Sequence, residues 1–377
     1  MAVFIFIMIC IGVIVLINNI NTKGQNQTNR TIEKSIDLEN NKNSFVTDFS
    51  HTEPISCEKK IKSAIPDANG LYPHEILMLH YASTYFPNEK NSFQEFWRIR
   101  YGVFDCENVL KSLVARGFIK IEVNTLLNLQ SQTTLNLKTF LKDNKLPTSG
   151  KKEDLINRII ENIDEDKFPN TLKKMRYVLT DSAKKSMDES EYILYFHSHF
   201  IEELDIWKLN RLLNTEPKSD YKNTIGNYLI KKSKEHLENK DFGLYRNCKL
   251  NLFNLLYEQE DYHSAYILLL EVIYLDINTY LDNNFGEECL QSNLEYFFSC
   301  QIMIPDKVME LMDKIQEKLY VSNEKLKEDF IEEWSKYHFP ISVFNVKQCA
   351  DIYFYQKENN EIALNKILLS TKKKFLK

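Results

Sequence analysis

Five consecutive residues, Thr148-Ser149-Gly150-Lys151-Lys152, combine what a phosphate group needs from a protein. Glycine lets the backbone come close, the first N–H groups of a following helix lack intrahelical partners, and two lysines add charge at the same place. Lys138, Lys142 and Lys145 precede this bend and Arg158 follows it, and over residues 131–152 only Asp143 opposes the five lysines. The chemistry available to such a run is the binding of a polyanionic backbone, which is salt-dependent and nearly blind to sequence. Taken as a bare charge run it reads as a solvated face, so the surrounding pattern has to decide.

That pattern is SQTTLNLKTFLKDNKLPTSGKKEDLINRIIENI, residues 131–163. Thr134 fits the N-cap of a first helix, with Leu135, Leu137, Phe140 and Leu141 on its buried side. Leu146-Pro147 is an extended crossing, because proline disfavours helix at the residue before it. Leu155, Ile156, Ile159 and Ile160 bury a second helix. The segment resembles the SAP domain, a short helix–extended–helix module that binds DNA. The resemblance implies double-stranded DNA as partner, with any preference arising from groove shape, for example narrow A·T-rich minor grooves. It points to Lys138, Lys142, Thr148, Ser149, Gly150, Lys151, Lys152 and Arg158 as the contacting residues. Lys145 stands where the family usually has glycine, so Asn144 is expected in the left-handed position that ends the first helix.

The elements that must hold this module come before and after it. Pro73 opens a helix through Ile76, Leu77, Leu79, His80 and Tyr81; Phe93, Phe96, Trp97 and Ile99 form a second apolar cluster; Asp105 caps a helix that closes at Arg116-Gly117. Residues 118–123 alternate apolar and polar, as in a half-buried strand. Three helices and then RGFIKIEV resemble the start of a winged helix-turn-helix domain whose second wing strand is found only at Met175 to Thr180, before a helix opening at Asp181-Ser182. The expected domain spans residues 70–200, with the SAP-like module inserted into its wing. Lys173, Lys174 and Arg176 then lie on or beside the wing and extend the DNA-binding surface.

The first seventeen residues, MAVFIFIMICIGVIVLI, carry no charge and read as a transmembrane helix within residues 1–20, contacting the membrane through residues 2–20. Lys23, Arg30 and Lys34 place the following chain in the cytoplasm, giving a single-pass membrane protein with a cytoplasmic body. A cleaved signal peptide is the competing reading, but no Lys or Arg precedes the apolar run and no A-x-A-like site follows it. Residues 21–69 have the polar composition of a flexible tether.

Residues 201–377 read as an acidic α-helical region. Residues 186–370 carry 19 basic against 32 acidic side chains, within a total net charge of −5. LFNLLYEQEDYHSAYILLLEVIYLD resembles a tetratricopeptide-type helical hairpin, and YFYQKENNEIALNKILL has a similar outline. An acidic helical surface suits a protein partner or self-association. Seven scattered cysteines without a C-x-x-C pair point to reduced thiols. No G-x-S-x-G, H-E-x-x-H or phosphate-binding P-loop occurs, so neither enzymatic activity nor a cofactor is expected. His197-Ser198-His199 with Glu202, Glu203 and Asp205 reads as packing before metal binding. Pro66-Asp67 with Glu165-Asp166-Lys167 only imitates nuclease elements. The expected whole is mainly α with a small β component: anchor, tether, winged-helix-like domain with inserted module, and helical region. It resembles SAP-domain proteins of bacteria and phages. Its function is that of a membrane-anchored DNA-binding protein, the alternative being a protein-interaction adaptor.

Overall fold

The computed structural model describes residues 55–199, 201, 204–215, 220–278, 304–337 and 343–375. These are mainly helical, with seventeen α-helices and one two-stranded sheet. The first helix among the described residues, Cys57–Ile61 (α1), lies ahead of the boundary expected near residue 70. The Cys57 N–H donates to the Gly102 carbonyl at 2.8 Å, and the Asn210 side chain pairs with both backbone groups of Ile65. Residues 55–69 of the stretch read as a tether are thus tied to the body, and residues 21–54 lie outside the described residues.

Pro73–Ala82 (α2) starts at its proline, where the Tyr72 N–H donates to Glu75 Oε2 at 2.9 Å. Glu75 is buried, and Arg116 meets its charge at 2.5 Å while also binding the Gly70 carbonyl. Phe96–Ile99 (α3) buries Trp97. Cys106–Ala115 (α4) is capped as expected by Asp105 Oδ1, which accepts from the Asn108 N–H at 2.8 Å, and the chain reverses at Gly117 with φ +79°.

Ile119–Val123 (β1) pairs antiparallel with the distant Met175–Leu179 (β2), in a register running from Ile119↔Leu179 to Val123↔Met175. The base of this ribbon is buried through Ile119 and Tyr177, whereas Ile121, Val123 and Met175 are exposed. The strand expected to be half-buried along its length therefore leaves the body after its first residue. Between the strands lie Thr125–Gln130 (α5), Thr134–Asp143 (α6), Lys152–Asn162 (α7) and two single 3-10 turns. Leu129, Leu137, Leu141, Leu155, Ile159 and Phe168 belong to an apolar cluster of this insert, separate from that of the body. The buried Asn128 donates to the Leu172 and Lys174 carbonyls at 3.0 and 2.9 Å, tying the two ends of the insert together.

Asp181–Asp188 (α8), Tyr192–Ser198 (α9) and Ile206–Thr215 (α10) join the first core, which continues into Ile225, Leu229, Cys248 and Leu252 of the two helices that follow. His197 stands at the end of α9, not on a strand, held between the Tyr81 and Tyr101 hydroxyls at 2.7 Å each. Burial, then Arg100 and His80, lower its pKa to about 4, so it stays neutral and donates to one tyrosine while accepting from the other. This is the packing role expected for it. Among the described residues no group of side chains is arranged to hold a metal, and Glu202 and Glu203 lie outside those residues.

Tyr221–Asn239 (α11), Phe242–Glu258 (α12) and Tyr262–Asn278 (α13) follow as consecutive packed helices, and Asp306–Leu319 (α14), Asn323–Trp334 (α15), Val346–Lys357 (α16) and Glu361–Phe375 (α17) share a second core with α13. Both sequence stretches with a hairpin outline form helix pairs, α12 with α13 and α16 with α17. The expected fold class is corrected on its membrane segment. No helix among the described residues is long and apolar enough to cross a membrane, and residues 1–20, where the anchor was placed, lie outside them. The single-pass location with a cytoplasmic body is not supported and is withdrawn.

One contact joining α9 to the helical region depends on protonation. His199 Nδ1 lies 2.7 Å from the Tyr195 carbonyl and Nε2 lies 2.8 Å from Glu258 Oε1; both partners are acceptors, so the ring needs a proton on each nitrogen. The hydrogen bond to Glu258 raises the His199 pKa above its ordinary 6.5, against burial and Lys222. The stabilisation is complete below the unfolded value and is lost as pH rises through the higher folded value. Thermal melts should therefore show stability falling above about pH 6.5, and His199→Gln should flatten that part of the profile. An unchanged slope in the variant rejects the assignment.

Candidate nucleic-acid interface

The first helix of the insert begins one residue earlier than its sequence suggests. Thr133, not Thr134, is the N-cap, with its hydroxyl accepting from the Asn136 N–H at 3.2 Å. Leu137 and Leu141 are buried and Phe140 packs against Phe168, but Leu135 is 73% exposed. The end of α6 corrects a second expectation. Lys145 (φ +59°), not Asn144 (φ −92°), takes the left-handed position. The Lys145 N–H donates to the Lys142 carbonyl and the Leu146 N–H to the Leu141 carbonyl, the paired bonds of a Schellman ending.

Leu146 turns back onto the cluster, and the chain crosses through Pro147 to the bend. Thr148 is half-buried, while Ser149, Gly150 and Lys151 are exposed, so the bend is open to solvent. Gly150 has φ +118°, which explains its residue type, but the space left by its missing side chain is not free. A Cβ there would stand 2.9 Å from Asp154 Oδ2. That same oxygen accepts from the Lys151 N–H at 2.8 Å. The carboxylate of Asp154, with Glu153 beside it in the first turn of α7, thus sits on a backbone donor that the sequence reading gave to phosphate.

The basic residues among the expected contacts divide into two groups. Lys138, Lys142 and Lys151 are exposed, as is Lys145, and none has a side-chain partner among the described residues. The others are engaged by the protein. Lys152 is half-buried and donates to the Gln130 carbonyl at 2.7 Å, joining α7 to the end of α5, and burial lowers its pKa. Arg158 reaches back to the Pro147 and Ser149 carbonyls at 2.7 and 2.9 Å and so holds the crossing segment. Lys173 is exposed but donates to the Asp166 carbonyl at 3.1 Å. Lys174 pairs with Glu89 at 2.8 Å. Arg176 is only 3% exposed, its guanidinium over the Phe86 ring at 4.1 Å and bonded to the Ser83 carbonyl, so it fastens β2 to the body and does not reach outward. Of the three residues expected on the wing, only Arg176 is withdrawn from the surface; Lys173 and Lys174 remain exposed. Ile160, expected inside, is 48% exposed.

Asn128 and Asp154 escaped the sequence reading. Asn128 gives no signal, being one polar residue in an apolar run. Asp154 follows the Gly150 turn by a capping spacing that is legible in principle. The nuclease-like pieces are used locally: Asp67 Oδ1 accepts from the Asn69 and Leu71 N–H groups, and Lys167 pairs with Asp164.

The SAP domain family matches residues 128–164, somewhat wider than the segment read from the motif and taking in Asn128. No curated protein and no solved structure matches the chain.

The two neighbouring lysines should respond differently to substitution. Lys152→Met is expected to cost about 1 kcal/mol of unfolding free energy by losing its bond to the end of α5, whereas Lys151→Met should leave stability unchanged. Equal denaturation midpoints for both variants would show Lys152 to be as free as its neighbour.

Proposed function

We propose that the chain binds duplex DNA through the inserted module, chiefly by contact with the phosphate backbone. The match of residues 128–164 to the SAP domain, a DNA-binding module, carries this reading. Support comes from the four exposed lysines without side-chain partners, 138, 142, 145 and 151, on a segment where Asp143, Glu153 and Asp154 are the nearest opposing charges along the chain. Lysine contacts of this kind give affinity with little sequence readout, so a preference for A·T-rich duplex would arise from groove width. The helices and ribbon that carry the module serve as a winged-helix-like platform of the kind found in bacterial and phage SAP proteins. The acidic helices beyond residue 200 repel the polyanion and are assigned to a protein partner or self-association. No catalytic step belongs to this reading.

The placement of Asp154 on the Lys151 N–H favours the alternative, an adaptor whose module has given up DNA contact. One titration separates the two. The full chain and a mixed-sequence duplex should give a log K against log salt slope of about −3, matching three or four phosphate contacts at about 0.9 each. A Lys138→Gln, Lys142→Gln, Lys145→Gln triple variant should bring that slope close to zero. Absence of binding at low salt would leave the adaptor.

A further inference from the structure

We infer that the DNA lies along the outer face of α6, with Leu135 against the groove wall and Lys138 and Lys142 on phosphates of one strand, and not against the glycine bend. This rests on the DNA-binding reading above. At 3.6 residues per turn, Leu135, Lys138 and Lys142 fall on one exposed stripe about 60° wide, centred about 110° round the helix from the buried Leu137 and Leu141. Thr139 shares that face, its hydroxyl turned back onto the Leu135 carbonyl at 3.0 Å. Lys145 continues the stripe just past the end of the helix, and Asp143 is the one carboxylate on α6, to the side.

Three observations favour this face over the bend. Its lysines have no internal employment, whereas at the bend Lys152 and Arg158 are spent on carbonyls. No carboxylate occupies its donors, whereas Asp154 occupies the Lys151 N–H. Its spacing also fits: Lys138 and Lys142 are separated by about 6 Å along the helix axis, close enough for both to reach phosphates of one strand. Apolar side chains scattered singly on a surface need no explanation. Leu135 differs because it heads a row of cations, the arrangement in which an apolar side chain meets sugars and base edges while its neighbours hold the backbone.

The test compares variants of the full chain on a fluorescein-labelled mixed-sequence duplex. Lys138→Gln with Lys142→Gln should lower affinity about tenfold and reduce the salt slope by about two, while Lys151→Gln with Lys173→Gln, the same change of charge, should lower it less than about threefold. Leu135→Ala should weaken binding severalfold with an unchanged melting temperature, as fits an exposed side chain. Equal losses in the two double variants, or a Leu135→Ala variant that binds like the parent, overturn the placement. A Leu135→Ala change in sedimentation without loss of DNA affinity would instead assign the stripe to a second copy of the chain, and overturns it too. If the unaltered chain fails to bind duplex at low salt, the DNA reading itself falls; binding with the ranking reversed removes only this placement.

Discussion

Five residue pairs between Ile119–Val123 and Met175–Leu179 bring together stretches of chain that the whole insert separates. Closing such a loop is opposed by chain entropy that grows only slowly with its length, so a short ladder suffices if its base is well buried. Here the base is held by Ile119, with Leu179 packed against the same core, Tyr177 buries the middle of the ladder, and Arg176 is drawn under Phe86. Asn128 fixes the other end by holding the Leu172 and Lys174 carbonyls, so the insert leaves and returns at one point. The module can then build its own apolar cluster without borrowing from the body. Everything that makes the insert a unit follows from that double closure.

Within the module, internal acceptors and solvent compete for the same cations. A lysine near a helix end finds carbonyls without partners, and Lys152 takes the one offered by Gln130; Arg158 does likewise with two loop carbonyls. Those bonds give the two-helix fold its shape, because so small a core leaves much of the packing to polar ties. The lysines on α6 point away from any such acceptor and keep their charge for something outside. Composition counts all of these residues alike, although only some contribute to the outward field.

Sequence reading succeeded where one residue type answers one local demand. Pro73, Asp105 and Gly117 each fix a helix boundary by backbone geometry or by a cap, and all three act as expected. The pairing of two remote strands was legible because alternation and the following helix marked both partners. The exposed Leu135 and Ile160 were not legible, because periodicity says which residues share a face but not whether a neighbour covers it. Arg176 looked like a surface cation for the same reason: Phe86 and Ser83, which bury it, come from far away in the chain. At the end of α6 the 6→1 bond from Leu146 to Leu141 decides which residue turns left-handed, and the geometry prevails over the preference for asparagine.

The ribbon also has a mechanical meaning. The insert hangs from Val123 and Met175, the same end of both strands. A pull on the module therefore loads the ladder in peeling geometry, parting one pair at a time from the Val123 end, and not in shear, where all pairs would resist together. Tension would part the Val123–Met175 pair first and would next have to draw the buried Arg176 from under Phe86, so that side chain resists peeling well before the buried Ile119 is reached.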